Sequence, residues 1–500
     1  MKISKKKIYD IPVLGYLLHL IEAFFRLPKN DSRIKKLLQD VKSTNSSFID
    51  ISTSFIDISN KRMMSLAQMD SFSRLQAGQE RTPQLAFVSC LPPEETGIAT
   101  CSLYSWLDSE VDVDIFCPVV NEDFYFYNKS ELSSKRVQLY DVDTLMSAVV
   151  SKQYKNIVLT IGNSDHHAYL FQALKKLRAA GMMGRVALYV HDPVMLNITK
   201  WRFNGLVADL SANIIEIYDD VLGHDSRTDH TKFNGCWYGE YGIAGVRIFL
   251  KLGITKFLVN SEAAKSILEG DLPKNVAKVS KIFHPVFLPK GMNGGDLIMR
   301  NDREEIIVGT FGMPRKSKQT ELIVAACKHL ASTGHNIKLV IAGFGAEKYV
   351  RTIKKTNLNI VGYSDLTDGQ LSEVMASVDV AVQLRLSNMG ESSGVVPQLL
   401  ALCKNVIVSD VGAFAEFGSA TKKVPTDIRF DNLAATILEV LADDSYRDAM
   451  RAYAALHSPK AFRATLLSSL ADLSSDTSAI ADSHLMIQQG MVSVTKSLEQ

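Results

Sequence analysis

Glu391 stands in a run of small residues, Gly390-Glu391-Ser392-Ser393-Gly394, five positions ahead of the dipeptide Val396-Pro397. A proline is tolerated in the first turn of a helix, where its missing N–H has no partner. A helix is therefore expected to begin near Gly394 and to run to about Cys403. Its first turn leaves unpaired N–H groups beside Ser392, Ser393 and Gly394, which suits an anion. The carboxylate of Glu391 would repel that anion and suits a hydroxylated group instead. A phosphate beside a polyol describes a sugar nucleotide. The same letters also suit an ordinary capped helix with a solvated glutamate.

Apolar runs flank this loop, 378–384 before it and from Val406 after it, which completes a strand–loop–helix–strand unit of a parallel sheet. The same alternation extends upstream. Strands are expected at 85–89, 113–116, 157–161, 186–190, 214–217, 257–260 and 279–283, then at 306–311, 339–342 and 359–361. Helices at 168–179, 263–269, 320–330, 347–354 and 371–376 fall between them. Two such alternations predict two doubly wound α/β domains. Polar and glycine residues gather where strands end, at 92–97, 162–164, His191-Asp192, 312–318, 343–345 and 385–393. In these folds ligands bind at the carboxyl edge of the sheet. The expected division is 83–288 for the first domain, 289–304 for a hinge, 305–465 for the second domain and 466–500 for a tail.

Five hundred residues exceed one core. Net charge is +2, but residues 1–36 hold nine Lys or Arg against Asp10, Glu22 and Asp31, which leaves the rest of the chain slightly acidic. Such a body excludes a nucleic-acid partner, which needs a basic face. The six cysteines form no C-x-x-C pair and read as reduced thiols. The basic N-terminus precedes an apolar stretch that contains His19 and Glu22, too short to span a bilayer. It reads as an amphipathic helix lying on an anionic membrane surface, or as a helix packed on the domains behind it. Ile34, Val41, Phe48 and Phe55 share one heptad position, with Leu37, Ile51 and Ile58 three residues later. This is a short coiled-coil seam that implies a homo-oligomer, or else a lone docked helix. Residues 1–82 thus form a segment of their own, and 73–83 read as its linker.

Four stretches together resemble one family. Leu91-Pro-Pro-Glu-Glu-Thr-Gly-Ile-Ala99 resembles a first glycine loop, and Ile161-Gly-Asn-Ser164 followed by His167 a second. Gly309-Thr-Phe-Gly312 followed by Lys318 resembles a basic loop, and Gln383-Leu-Arg385 with Gly390-Glu-Ser-Ser-Gly394 a glutamate motif. The chain from Gln84 to about Lys460 is similar to the retaining nucleotide-sugar glycosyltransferases of family 4, in their bacterial surface-polysaccharide branch. The resemblance implies the GT-B fold, two facing Rossmann-like domains. It implies transfer of a hexose, with mannose suggested by the branch, from a nucleotide diphosphate sugar to a lipid-linked or surface glycan. The enzyme would lie on the cytoplasmic face of the cell membrane. No cofactor and no metal are implied, the nucleotide sugar being a co-substrate.

The same resemblance implies roles. His191 and Glu391 would be catalytic, near the transferred sugar. Gly97, Arg315, Lys316, Lys318, Ser392, Ser393, Gly394, Val395 and Gln398 would bind the donor diphosphate and nucleotide. Thr96, Asn163, Asp192 and Arg385 would face the sugar and acceptor. The family places a second acidic residue seven or eight positions after the first, where this chain has Gln398 and Leu399. Gln398 still hydrogen-bonds a hydroxyl, without charge. That departure fits an alternative, a non-catalytic sugar-nucleotide binder or scaffold of a polysaccharide assembly complex. Asp112-Val-Asp114 and Asp141-Val-Asp143 imitate metal-binding pairs, and Asp165-His166-His167 lacks a third ligand at a recognisable spacing. All three read as structural.

Overall fold

The structure, a computed structural model, describes residues 67–75, 83–94, 96–119, 121–132, 136–195, 198, 218, 242–288, 305–353, 357–387, 390–443 and 445–475. The N-terminal amphipathic segment, the heptads, the strand expected at 214–217, the hinge at 289–304 and the chain beyond 475 lie outside these residues.

Seven parallel strands form the first sheet, in the order β3-β2-β1-β4-β5-β6-β7. They are β1 (Leu85–Val88), β2 (Val113–Cys117), β3 (Val137–Asp141), β4 (Asn156–Ile161), β5 (Val186–Val190), β6 (Lys256–Val259) and β7 (Lys278–Lys281). Six parallel strands form the second, in the order β10-β9-β8-β11-β12-β13. These are β8 (Ile306–Phe311), β9 (Ile337–Ala342), β10 (Asn359–Tyr363), β11 (Val380–Gln383), β12 (Asn405–Ser409) and β13 (Lys422–Val424). Both orders reverse direction once, between β1 and β4 and between β8 and β11. A crevice opens outside the carboxyl ends of the strands at each reversal.

Central strands are apolar along their length because helices cover both faces of a parallel sheet. In β1, Ala86 and Val88 join the core on one face, while Leu85 and Phe87 join the core on the other. In β8, Val308 packs on one side, and Ile307 and Phe311 on the other. The edge strands β3 and β13 were not anticipated from the sequence. Half of an edge strand faces polar surroundings, so β13, Lys422-Lys423-Val424, carries no apolar run.

The edge of β3 is covered by helical residues 67–75. Arg74 donates to the Leu139 carbonyl at 2.7 Å and to Asp70 at 2.8 Å, and the Ser71 hydroxyl accepts from the Asp141 N–H at 3.1 Å. Covering the strand in this way removes an open edge that could pair with another chain. The expected linker at 73–83 is therefore shorter at its start, since residues 73–75 are part of this docked helix. Asp114, buried in β2, accepts from Lys152 and the Tyr154 hydroxyl at 2.6 Å each, and the Asp141 carboxylate accepts from the Asp143 N–H at 2.7 Å. Both Asp-Val-Asp sequences are thus structural.

The helix Pro459–Ser475 runs across the expected boundary at 465 and returns to the first domain. Phe462, Leu466 and Leu470 are buried in the core shared by β1, β2 and β3. Arg463 donates to the Ser105 carbonyl at 2.8 Å and to Glu110 at 2.5 Å. Among the described residues no helix is long and apolar enough to cross a membrane.

Phe462→Ala removes a fully buried ring, and such truncations cost about 3–5 kcal/mol. The expected result is a lower unfolding midpoint, with hydrogen exchange rising first in the helix Gly97–Trp106 and in β7, which this helix touches. Faster exchange confined to the second domain would contradict the assignment of this helix to the first.

Candidate functional site

The tips of β8 and β11 carry the basic loop and the glutamate loop. The two are tied together by the Leu386 N–H, which donates to the Ser317 carbonyl at 2.9 Å. Gln383 joins the β8 end to β11: with its amide set to satisfy both atoms, it donates to the Phe311 carbonyl at 3.1 Å and accepts from its N–H at 2.6 Å. Gly312 then turns with φ +97°, and a Cβ there would lie 2.3 Å from Lys318 Nζ. The ammonium is therefore folded back over the glycine, at the end of the strand.

Arg315, Lys318, Arg385 and Glu391 line one pocket, together with Gly390, Ser387 and Phe414. The Arg385 guanidinium stacks on the Phe414 ring, 4.5 Å from its centroid, which fixes its plane. Lys318 has its pKa lowered to about 8, first by burial and then by the charges of Arg385 and Arg315, with Glu391 pulling the other way. Burial likewise lowers Arg385, and Glu391 again opposes the shift. Three cations thus crowd one carboxylate, and the cluster favours a further anion. Lys316 is exposed and does not line this pocket.

The helix that follows is Val395–Ala401, and Pro397 is its third residue. The Ser393 hydroxyl accepts from the Val396 N–H at 3.1 Å, so one first-turn donor is already satisfied within the chain. Ser392, Ser393 and Pro397 line a neighbouring pocket with His284, Lys281 and Tyr453. Gln398 is half-buried and lines neither pocket.

The first domain contributes the opposite wall. Thr96 caps the ten-residue helix Gly97–Trp106, its hydroxyl accepting from the Ala99 N–H at 3.0 Å. No atom lies within 4 Å of where a Cβ of Gly97 would be, so this loop leaves room for a ligand. Asn163 works inside the protein: its N–H donates to Asp192 Oδ2 at 2.8 Å, and its Oδ1 accepts from the Ile198 N–H at 3.0 Å. Burial raises the Asp192 pKa to about 6; the Asn163 N–H opposes the shift, and the charge of Glu391 adds to it. Asp192 and Glu391 therefore feel each other across the cleft. His191 is buried beside Asn260, with the His284 ring 6.1 Å away at a right angle. Burial holds His284 at about 4 and His167 at about 4, so both rings are neutral at pH 7. His166 is paired with Glu94. Among the described residues, no three His, Cys, Asp or Glu side chains gather as metal ligands.

The domains also meet beside these groups. Gly390 has φ +71°, and a Cβ there would come within 2.6 Å of Pro193 and Ile267, so this loop lies flat against the first domain. Glu416 of the second domain accepts from the N–H groups of Glu262 and Ala263, at 3.0 and 2.9 Å, at the start of the helix Glu262–Asp271. Lys281 stands 3.6 Å from the same carboxylate. Asn260, His284 and Glu416 were not singled out from the sequence. Asn260 closes an expected strand and marks its tip as surely as Asp192 does, whereas nothing in the letters around Glu416 points to a partner 150 residues away.

Residues 299–457 match the family described as glycosyl transferases group 1. No curated protein matches the chain significantly. Among solved structures, a glycosyltransferase from Rickettsia africae superposes with a TM-score of 0.51 at 10% identity, over 79% of this chain and 99% of that one. Anabaena HepE, solved with UDP and glucose, gives 0.48 at 13% identity, over 78% and 99%. A UDP-forming trehalose-phosphate synthase from Burkholderia xenovorans gives 0.47 at 11%, over 77% and 99%. At these identities the likeness concerns the fold alone. Two facing doubly wound domains make that fold GT-B, and the family match over the second domain supports a glycosyltransferase.

Lys318 gives the site a pH signature. Below about 8 it is already protonated; above that, an anion must take up a proton to bind it. Affinity for a nucleotide diphosphate sugar, whose diphosphate keeps its charge over this range, should be level from pH 6 to 7.5 and then fall by up to about tenfold per pH unit. Calorimetry in buffers of different ionisation enthalpy should show proton uptake growing over the same range. Lys318→Met should abolish that uptake and weaken binding at pH 7 by about 1–3 kcal/mol. Unchanged affinity in the variant would remove Lys318 from the diphosphate site.

Proposed function

We propose that this GT-B chain, with its glycosyl transferases group 1 region, is a retaining glycosyltransferase that moves a hexose from a nucleotide diphosphate sugar to a lipid-linked or surface-polysaccharide glycan. The observation that carries this reading is the pocket at the tips of β8 and β11, where Lys318, Arg315 and Arg385 surround one carboxylate, Glu391. A diphosphate gains negative charge as it leaves, and cations already held in place stabilise that charge without reorganising. Mannose is the hexose suggested by the sequence resemblance, and the basic residues 1–36 would hold the enzyme on the inner face of the membrane.

In the reaction, the bond from the sugar C1 to the leaving phosphate oxygen breaks, and a bond from the acceptor oxygen to C1 forms on the same face. The acceptor proton passes to the departing phosphate. Lys318 and the two arginines meet the phosphate charge, while Glu391 holds sugar hydroxyls and favours the positive character that develops on the ring. His191 and Asp192 line the facing wall. The transfer needs no metal, because the cation cluster takes that role.

A second reading, a sugar-nucleotide binder without turnover, draws on Gln398, which stands where the resembling family has an acid.

Glu391→Gln keeps the shape and removes the charge. Turnover should fall about a hundredfold or more, equivalent to roughly 3 kcal/mol of transition-state stabilisation, with little change in donor affinity. Proton NMR of the wild-type product should show the donor's anomeric configuration retained, with EDTA without effect. An inverted product would sink the mechanism. Donor binding without turnover on any lipid-linked acceptor would favour the binder.

A further inference from the structure

His191 follows β5, and Asn260 follows the neighbouring β6. Asn260 Nδ2 lies 3.3 Å from His191 Nδ1, and Asn260 Oδ1 accepts from the Tyr189 hydroxyl at 2.6 Å. All three side chains are buried, and the Tyr189 and His191 rings lie 4.3 Å apart. Burial keeps Tyr189 protonated at any ordinary pH, so its hydroxyl must donate to something. Among the described residues, the only acceptor recorded for it is Asn260 Oδ1. Turning the Asn260 amide over would set its NH2 against the phenol and strand the phenol proton in a buried place where no water replaces the lost hydrogen bond. The amide therefore keeps its oxygen toward Tyr189 and its NH2 toward His191.

An NH2 group only donates, so His191 Nδ1 must present its lone pair, and a neutral ring then carries its proton on Nε2. The ring is neutral because burial, and after it His284 and His167, hold its pKa well below the usual 6.5. Nε2 is itself buried and has no partner among the described residues. The His284 ring lies 6.1 Å from the His191 ring, and the glutamate loop of the second domain meets this part of the first at Pro193, two residues along the chain, and near His284.

We infer that Asn260, held by Tyr189, is a positioning residue that fixes His191 as the Nε2–H tautomer, so that the imidazole meets an oxygen of the bound donor as a hydrogen-bond donor and not as a base. The contact to a sugar donor rests on the proposed glycosyl transfer. The tautomer does not, and it is measured without substrate.

Nitrogen NMR of the histidine rings in the full-length protein, with His191 assigned through His191→Gln, reads the proton's position. Wild type should show a bare Nδ1 and a protonated Nε2. Asn260→Asp, whose carboxylate only accepts, should move the proton to Nδ1. Asn260→Leu, similar in shape and free of a buried charge, should give a mixture, and Tyr189→Phe a smaller shift toward one. Both Asn260 variants should lose about tenfold or more in kcat/KM, the scale of a lost or reversed hydrogen bond in the transition state. A wild-type proton on Nδ1, or an Asn260→Asp tautomer like wild type, overturns the relay. The expected tautomers with no sugar transfer from any nucleotide sugar would uphold the relay and defeat the proposed function instead.

Discussion

Glu416 sets the two halves of the molecule against each other. A helix start carries partial positive charge and unpaired N–H groups. The helix Glu262–Asp271 finds one partner in Ser261, whose hydroxyl accepts from the Ala264 N–H, and two in a carboxylate from the other domain. Each domain is a complete doubly wound sheet with its own pair of cores. The cleft, however, exists only where the two carboxyl edges face each other, and Gly390, set against Pro193 and Ile267, leaves no room there for a Cβ.

Within that cleft the charges are sorted by wall. The second domain supplies Lys318, Arg315 and Arg385; the first supplies Asp192 and buried, neutral imidazoles. Burial pushes each group toward its uncharged form, and on the cationic wall the mutual repulsion of Lys318, Arg385 and Arg315 adds to that push for Lys318. Under the proposed transfer, a doubly charged leaving group matches that imbalance better than a neutral sugar does, and Glu391, set among the cations with Asp192 facing it, would read hydroxyls.

The central strands β1, β5 and β8 were legible in the sequence because burial on both faces writes an unbroken apolar run. The edge strands β3 and β13 were not, since Gln138 interrupts the apolar letters of the first and two lysines open the second. Lys318, Arg385 and Glu391 were legible for a related reason: they sit where an apolar run stops and polar letters begin, at a strand tip. Asn260 and Tyr189 escaped notice because their meaning lies in a hydrogen bond to a residue about 70 positions away or beside them on an adjacent strand. The return of helix Pro459–Ser475 was equally hidden, as its buried face looks the same whichever core receives it.

That returning helix changes what counts as a domain in this chain. The polypeptide passes between the two halves twice, and the passages touch: the Val286 N–H donates to the His457 carbonyl at 2.7 Å, and Phe283 packs edge-on to His457. The second domain is thus an insertion, from about residue 305 to 457, in a first domain completed by its own C-terminal helix. A chimera that exchanges the second domain must be cut at both passages and must leave residues 459–475 with the host. A single junction would transplant the binding loops while stripping the recipient of a piece of its own core.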